Sequence, residues 1–255
     1  MKRLIVNADD FGFTRDVNQG IVEAHSGGIL TACTLMANGD AFQHAVDLAR
    51  ATPSLDVGCH LVFVQGMSVL DPSRPLPSSL GGVLRKQPFY EEAAAQVRKI
   101  ITAGIRPTHL DTHKHTHLLF APVLDAVARV AREFDIPWVR WPFDFKPRTV
   151  ASFAMRLRRG RFSEVLKGLR KTDHFAGFET TGTLNQVSLS ATLLALPDGL
   201  TELMCHPARL GAELRNAATR LKETREVELN ALTSSSIRSL IQSEGIQLVN
   251  YALEP

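Results

Sequence analysis

The chain has 255 residues, of which 44% are hydrophobic and 22% are charged, and its formal net charge at pH 7 is +3. This is the composition of a globular protein that can bury one large core. The three cysteines, Cys33, Cys59 and Cys205, are odd in number and far apart, which argues against a disulfide framework and favours a reducing compartment.

The chain opens with "MKRLIVNADD", in which the apolar run is four residues long and ends in acids. Such a run is far shorter than a signal-peptide core or a membrane span. We therefore expect a cytoplasmic protein with a single domain over residues 1–255.

Short apolar runs alternate with helical patterns along the chain. The predicted strands are residues 3–9, 30–36, 55–63, 107–113, 136–141, 201–206 and 246–251. The predicted helices are Val17–His25, Ala41–Ala51, Tyr90–Ala103, Phe120–Phe134 and Ala218–Ser243. A repeated order of strand then helix implies parallel strands with crossover helices, and hence an α/β barrel or a doubly wound sheet.

Two segments interrupt this order as insertions. Residues 65–88 form a long connection with four prolines, and a connection of this length in a compact domain is usually functional or disordered. Residues 146–171 hold nine lysines and arginines but one acidic residue, Glu164. Such an uneven distribution indicates either a solvated face or a surface that meets something anionic.

Apolar residues are interleaved with the charges of the second insertion. Phe153, Leu157, Leu166 and Leu169 have roughly helical spacing, as in a basic amphipathic segment lying on a membrane. Gly160 and Gly168 weaken the helix prediction. We expect a protein that can sit at the inner membrane surface through residues 146–171, and we expect no nucleic-acid partner.

Acids and histidines follow several predicted strands. These residues are Asp9 and Asp10 at the end of the first predicted strand, His60 late in the third, His109, Asp111 and His113 in the fourth, Arg140 near the end of the fifth, and His206 at the end of the strand over 201–206. The carboxyl ends of parallel strands converge on one rim, where α/β active sites are built. These side chains should therefore share a site.

The alternation of side chains along a strand sorts the candidate ligands. If His60 and His206 face the site, Cys59 and Cys205 turn towards the helices, so a cysteine-based zinc site is disfavoured. A hydrolytic metal site usually needs about three protein ligands and an open position. Two imidazoles and one acid of "NADD" would meet that need, and Gly12 suggests a turn there.

Four motifs in this order, "IVNADDFG", "VGCHLV", "PTHLDTHKHTH" and "ELMCHP", resemble the YdjC-like carbohydrate deacetylases, metal-dependent enzymes that remove acetyl groups from N-acetylated sugars. The opening "MKRLIVNADDFGFTRDVNQGIVEAH" and "SLDVGCHLV" are most similar to the branch associated with hopanoid biosynthesis, which acts on an N-acetylglucosaminyl hopanoid lipid. The resemblance implies a distorted (β/α) barrel with mostly parallel strands, related to the polysaccharide-deacetylase fold.

The resemblance also implies roles for individual residues. Asp10, His60 and His113 would hold the metal, with Asp9 as general base and His206 as general acid. Asp111 could accept a hydrogen bond from a ligating histidine, and Arg140 could orient Asp9, bind substrate or stack on Trp138 or Trp141. His115 and His117 stay open as ligands, substrate contacts or solvated rim residues, and His115 could replace His113 as ligand.

Several alternatives remain at this point. The cofactor would be one divalent cation, zinc or magnesium, with cobalt or nickel also compatible with the ligand types. The substrate would be an N-acetylglucosamine compound, either a glycolipid or a soluble chitooligosaccharide. A metal-dependent phosphoesterase and a non-catalytic binding protein are the rival functions. The oligomeric state, a homodimer included, and the role of the proline-rich loop stay open.

Overall fold

The computed structural model describes residues 1–84 and 87–252. Its strands are β1 (Lys2–Phe11), β2 (Ala32–Leu35), β3 (Asp56–Leu61), β4 (His109–Thr112), β5 (Trp138–Val139), β6 (His174–Ala176), β7 (Gly199–Cys205) and β8 (Gln247–Leu248). Its helices are α1 (Arg15–Ser26), α2 (Phe42–Ala51), α3 (Phe89–Thr102), α4 (Thr116–Leu119), α5 (Ala121–Glu133), α6 (Val150–Arg156), α7 (Arg159–Val165), α8 (Gln186–Leu194), α9 (Ala212–Asn216), α10 (Glu223–Thr233) and α11 (Ser235–Ser243). Positions 85 and 86 of the proline-rich insertion and residues 253–255 of the expected domain lie outside the described residues.

The strands form one parallel sheet in the order β5-β4-β3-β2-β1-β7-β6. Strand β1 is long enough to pair with β7 along most of its length, with β8 near its start and with β2 towards its end. Helices connect most successive strands, as the parallel pairing requires. The sheet curls into a distorted (β/α) barrel, so the predicted fold is confirmed.

The barrel is least complete between its two edge strands, β5 and β6. Isolated parallel bridges join Trp138 to Arg170 and Asp144 to Phe175 across this edge. The sequence analysis missed β6 because a three-residue strand has no periodic pattern of its own. It also missed α8, which begins at a capping box formed by Asn185 and Ser188.

The prediction of one continuous helix over Ala218–Ser243 is wrong. The chain forms α10 and α11 as separate helices, because Ser234 between them has an extended backbone conformation with ψ of 133°. Serine side chains compete for backbone hydrogen bonds, and a run of three serines is a poor helix interior. Several predicted strands are also longer than those observed; the prediction over 136–141 contains only the two residues of β5.

The three cysteines are free and buried in the core, as expected from their spacing. Within the described ranges, no helix is both long and apolar enough to cross a membrane.

Helix α3 anchors the start of the proline-rich insertion. The buried carboxylate of Glu92 in α3 accepts hydrogen bonds from the backbone N–H of Val69, at 2.8 Å, and from the hydroxyl of Ser68, both in the insertion.

The basic insertion divides into two parts. Val150, Phe153 and Leu157 of its first part are 86%, 58% and 88% exposed. Leu166 is buried, and Leu169 packs partly against the core. The prediction that Phe153, Leu157, Leu166 and Leu169 form one exposed apolar face is therefore wrong for Leu166 and Leu169. Only the part around α6 presents apolar side chains to solvent.

Candidate metal centre

The end of β1 delivers two successive carboxylates to the same rim. Side chains normally alternate along a strand, but Asp10 has a φ of +69°, which interrupts the alternation. Gly12 follows with a φ of +95°, and a side chain there would also press against the Met36 carbonyl. This irregular strand end lets Asp9 and Asp10 both contact groups at the carboxyl ends of neighbouring strands.

Three side chains from β1, β3 and the segment after β4 converge within hydrogen-bonding distance. Asp10 Oδ1 lies 3.4 Å from His60 Nε2 and 3.2 Å from His113 Nδ1, and the two imidazole nitrogens are 3.3 Å apart. Zinc bonds of about 2.0–2.1 Å in tetrahedral geometry place two ligand atoms about 3.3 Å apart. The three atoms therefore fit one small divalent cation.

His60 is held from behind by a carboxylate. Its Nδ1 lies 2.7 Å from Asp111 Oδ1 and 3.2 Å from the Thr34 hydroxyl, because His60 and Asp111 are direct partners across β3 and β4. Burial disfavours the charged imidazole, but Asp111 and Asp10 outweigh burial and raise the pKa of His60 to about 10. The environment of this ring thus favours positive charge, which a bound cation would supply.

Arg140 organises the acids beside this cluster. The guanidinium donates to both oxygens of Asp9, at 2.8 and 2.6 Å, and also contacts Asp111 at 2.8 Å and Glu202 at 2.6 Å. Burial alone would raise the pKa of Asp9, yet Arg140 holds that pKa well below its usual range. Asp9 is therefore an ionised carboxylate with a fixed orientation.

The alternative in which Arg140 stacks on an indole is not the arrangement found. Its guanidinium lies 5.7 Å from the centre of the Phe175 ring, whereas Arg170 lies over Trp138 and Lys171 over Trp141. Asp9, His60 and Asp111 also lie close enough together to suggest a second metal position. Arg140 already donates to Asp9 and contacts Asp111, so a second cation would have to share these carboxylates with the guanidinium.

A chain of contacts leads from Asp9 towards the base of the barrel. Asn7 Nδ2 donates to Asp9 Oδ1 at 3.2 Å, and Asn7 Oδ1 accepts from His109 Nε2 at 2.9 Å. The His109 ring in turn stacks on Tyr251, with centroids 3.9 Å apart. Burial lowers the pKa of His109 well below its usual value, so this ring is neutral and structural.

His206 follows β7 and is buried near the two acids. Its backbone N–H donates to Glu228 Oε2 at 2.6 Å. Burial lowers the pKa of His206 to about 4, although Asp9 and Asp10 act in the opposite direction. The imidazole is therefore neutral at pH 7 and any proton it receives is easily given up.

The remaining histidines of the "HKHTH" motif lie apart from the three convergent ligand atoms. His117 is buried and its Nδ1 lies 2.6 Å from the Thr112 hydroxyl. His115, half-buried, packs beside Phe178 with centroids 5.1 Å apart. Within residues 1–84 and 87–252, neither belongs to a group that could hold an ion.

The sequence analysis missed Arg225 and Glu228, two charged residues of α10 that are each 1% exposed. Arg225 Nη2 donates to Asp10 Oδ2 and so fixes the acid opposite the histidines. A signal was present, since both residues fall at helical spacing with Leu229 and Leu232 on the buried face. Charged residues on such a face need buried partners.

Comparisons with known proteins identify the family of the chain. The model of the family described as YdjC-like protein matches residues 3–243. Proteins named carbohydrate deacetylase from Brevibacillus brevis and Vibrio cholerae are each 34% identical to the chain; the match covers 98% of the chain in both cases, and 98% and 95% of the two relatives.

A crystal structure from Enterococcus faecalis V583, of a protein named for cellobiose-phosphate cleavage, is similar along the whole fold. It has a TM-score of 0.79 and 27% sequence identity, with 98% of each chain covered. With a family match over most of its length, relatives above 30% identity and this shared fold, the chain belongs to the YdjC-like family.

Proposed function

We propose that this protein is a metal-dependent hydrolase that removes the N-acetyl group from a substrate containing N-acetylglucosamine. The observation that carries the proposal is the convergence of Asp10, His60 and His113, with ligand atoms 3.2–3.4 Å apart, beside Asp9. The relatives named carbohydrate deacetylase support the reaction class.

Asp10, His60 and His113 would hold the cation, which would act as a Lewis acid towards the amide carbonyl and towards water. One aspartate and two histidines suit zinc, and magnesium, cobalt and nickel are compatible with the same ligand types. Asp111 orients His60 through the hydrogen bond at 2.7 Å, an outer contact of the kind that tunes metal affinity.

The proton transfers are assigned to Asp9 and His206. Ionised Asp9, fixed by Arg140, accepts a proton from the water that attacks the acetyl carbonyl. His206 donates a proton to the sugar amine as the C–N bond breaks, and acetate and the free amine leave. Because His206 is neutral in the resting site, it must first take up the proton that Asp9 received from the water, and it then passes this proton to the amine nitrogen as the C–N bond breaks.

The test is acetate release from a panel of soluble and lipid-linked N-acetylglucosamine compounds. The protein should release acetate, lose this activity when a chelator removes the metal, and regain it when zinc or another divalent ion is restored. No acetate from any compound, with metal bound, would reject the proposal. A two-metal phosphoesterase is less well supported, because Asp9 and Asp111 of the second group are already paired with Arg140.

We further propose that the acetylated sugar is attached to a lipid, as in the hopanoid-associated branch, and that the protein docks on anionic membranes. Val150, Phe153 and Leu157 are spaced so that they share one side of α6 and the turn after it, and all three are exposed. Lys146, Arg148 and Arg158 are exposed around them. Each basic residue near an anionic leaflet contributes about 1 kcal/mol of attraction.

Vesicle sedimentation tests the docking. The protein should bind vesicles of phosphatidylglycerol but not of phosphatidylcholine, and Phe153→Ser with Leu157→Ser should abolish binding while acetate release from soluble substrate continues. A matched control is Val187→Ser, which removes an exposed apolar side chain from α8. Negligible binding to both vesicle types, with efficient hydrolysis of soluble chitooligosaccharides, would favour the soluble substrate instead.

A further inference from the structure

A cavity lies at the incomplete edge of the barrel, between β5 and β6. Its volume is about 810 Å³, and its lining includes Arg3, Trp138 and Leu200. These three residues lie at the amino ends of β1, β5 and β7, whereas Asp10, His60 and His206 lie at or beyond the carboxyl ends of their strands. The cavity is therefore separate from the metal centre.

The lining of this edge cavity is strongly basic. Four cationic side chains contribute to it, Arg3, Arg159, Arg170 and Lys171, against one acid, Asp173. The carboxylate of Asp173 already accepts the backbone N–H of Leu200 at 2.8 Å. Cationic side chains therefore outnumber acidic ones among the described residues that line the cavity.

Two of the cations are held in place by aromatic rings. The Arg170 guanidinium lies 4.1 Å from the centre of the Trp138 ring, and Lys171 Nζ lies 4.5 Å from that of Trp141. Such cation–π contacts are favourable and restrict the side chains. A ligand that binds here meets cations that are already positioned.

Three lining residues also carry buried polar atoms that have no hydrogen-bond partner within residues 1–84 and 87–252. They are Trp138 Nε1, Arg159 Nε and Thr172 Oγ1, and Trp138 and Thr172 are themselves 3% and 2% exposed. The two nitrogens can only donate hydrogen bonds, and the hydroxyl can also donate. Leaving a buried donor unsatisfied is unfavourable, so the cavity favours a molecule rich in acceptors.

We propose that this edge cavity binds a small soluble organic phosphate. A phosphate group is an anion with several strong acceptor oxygens, which matches both the charge and the unpartnered donors. Cavities of about 300–1,000 Å³ accommodate small organic molecules, so there is room for more than an inorganic ion. Trp141 and Leu169 supply apolar surface for the organic part.

The experiment is calorimetric titration of the full chain with glucose 6-phosphate and, separately, with glucose as the matched probe without phosphate. Glucose 6-phosphate should bind and glucose should not. Binding should persist in Asp10→Asn, since the metal centre is not involved. Failure of Asp10→Asn to bind would place the phosphate at the metal centre and overturn the proposal, as would the absence of any heat of binding.

Matched variants test the location. Thr172→Val and Arg159→Gln should each raise the dissociation constant for glucose 6-phosphate at least about 10-fold, the loss expected for one charged or buried hydrogen bond. Thr201→Val removes a buried hydroxyl that also lacks a protein partner but does not line the cavity, and should bind like the wild type. Lys167→Gln removes an exposed charge of the same basic insertion that also lies outside the lining. If Lys167→Gln weakens binding as much as Arg159→Gln, the attraction is diffuse and the proposal fails.

A lipid headgroup could supply the same phosphate chemistry. Vesicles of phosphatidylglycerol should leave the bound glucose 6-phosphate in place, because the donors lie inside the cavity. If these vesicles displace the bound glucose 6-phosphate, the cavity binds a membrane lipid, and the proposal of a soluble ligand is overturned.

Discussion

The candidate metal centre and the basic insertion are both dense in charge, but the charges differ in burial and pairing. At the candidate metal centre the charges are buried and paired, with Arg140 bound to Asp9, Asp111 and Glu202, and Arg225 bound to Asp10. In residues 146–171 most of the basic side chains reach the surface. Buried charges must be compensated inside the protein, so they fix geometry, whereas exposed charges remain available to molecules outside.

The comparison predicts its largest effect for Asp9→Asn. If Asp9 is the general base, as proposed, its loss should lower kcat for acetate release by about 100-fold to 10,000-fold while the metal content is unchanged. Asp125→Asn removes an exposed carboxylate that pairs with Arg161 of the basic insertion at 2.9 Å, and should keep the wild-type kcat. Loss of metal from Asp9→Asn, measured by atomic emission, would make Asp9 a ligand instead.

Arg140→Gln should destabilise the protein by about 3–5 kcal/mol, because it leaves three buried carboxylates without their cation. The matched change in the basic insertion, Arg161→Gln, breaks a half-exposed ion pair and should cost no more than about 1 kcal/mol. Urea unfolding of both variants measures the difference. Equal losses would mean that burial does not separate the two regions.

The buried carboxyl group of Glu228 predicts that the stability of the fold depends on pH. Burial raises its pKa from 4.5 to about 7, so between these values the folded protein keeps a proton that the unfolded chain has released. The stability that this group contributes is complete below pH 4.5 and is lost as pH rises through about 7, by roughly 3 kcal/mol at 1.4 kcal/mol per unit.

Glu228→Gln should remove this loss, so the stability of the variant relative to wild type should rise between pH 5 and 8 in urea unfolding of the metal-free protein. Glu164→Gln, at the exposed acid of the basic insertion, serves as the control and should follow the wild-type pH profile. A Glu228→Gln variant with an unchanged profile would contradict the assignment of the proton to Glu228.

Asp111→Asn should weaken metal binding by about 10-fold to 100-fold, the range found when the partner of a ligating histidine is altered. Glu202→Gln is the matched control, since both acids contact Arg140 but only Asp111 contacts His60. Competition with a chromophoric chelator gives both affinities. Equal weakening would show that Arg140, and not the hydrogen bond to His60, transmits the effect.

Much of the architecture and part of the centre could be predicted from sequence because both depend on local patterns. The order of apolar runs indicates parallel strands, and the rule that their carboxyl ends share a rim brings Asp10, His60 and His113 together. Arg225 could not be placed, because its partner Asp10 is 215 residues away along the chain. Glu228 accepts the backbone N–H of His206, 22 residues earlier, and this contact depends on how α10 packs back against the end of β7. The edge cavity was also beyond prediction, since unpartnered donors can be recognised only once the surrounding atoms are known.

Tyr251, near the end of the described residues, stacks on His109, which donates a hydrogen bond to Asn7 of β1. The position of the Asn7 side chain therefore depends on residues at the other end of the chain. Through Asn7, this contact extends to Asp9, which the ribosome synthesises more than two hundred residues earlier. During synthesis the acid is therefore made early but receives its full support only after Tyr251 has emerged and packed against the base of the barrel. The network of contacts behind Asp9 is in this sense complete only when Tyr251 is in place.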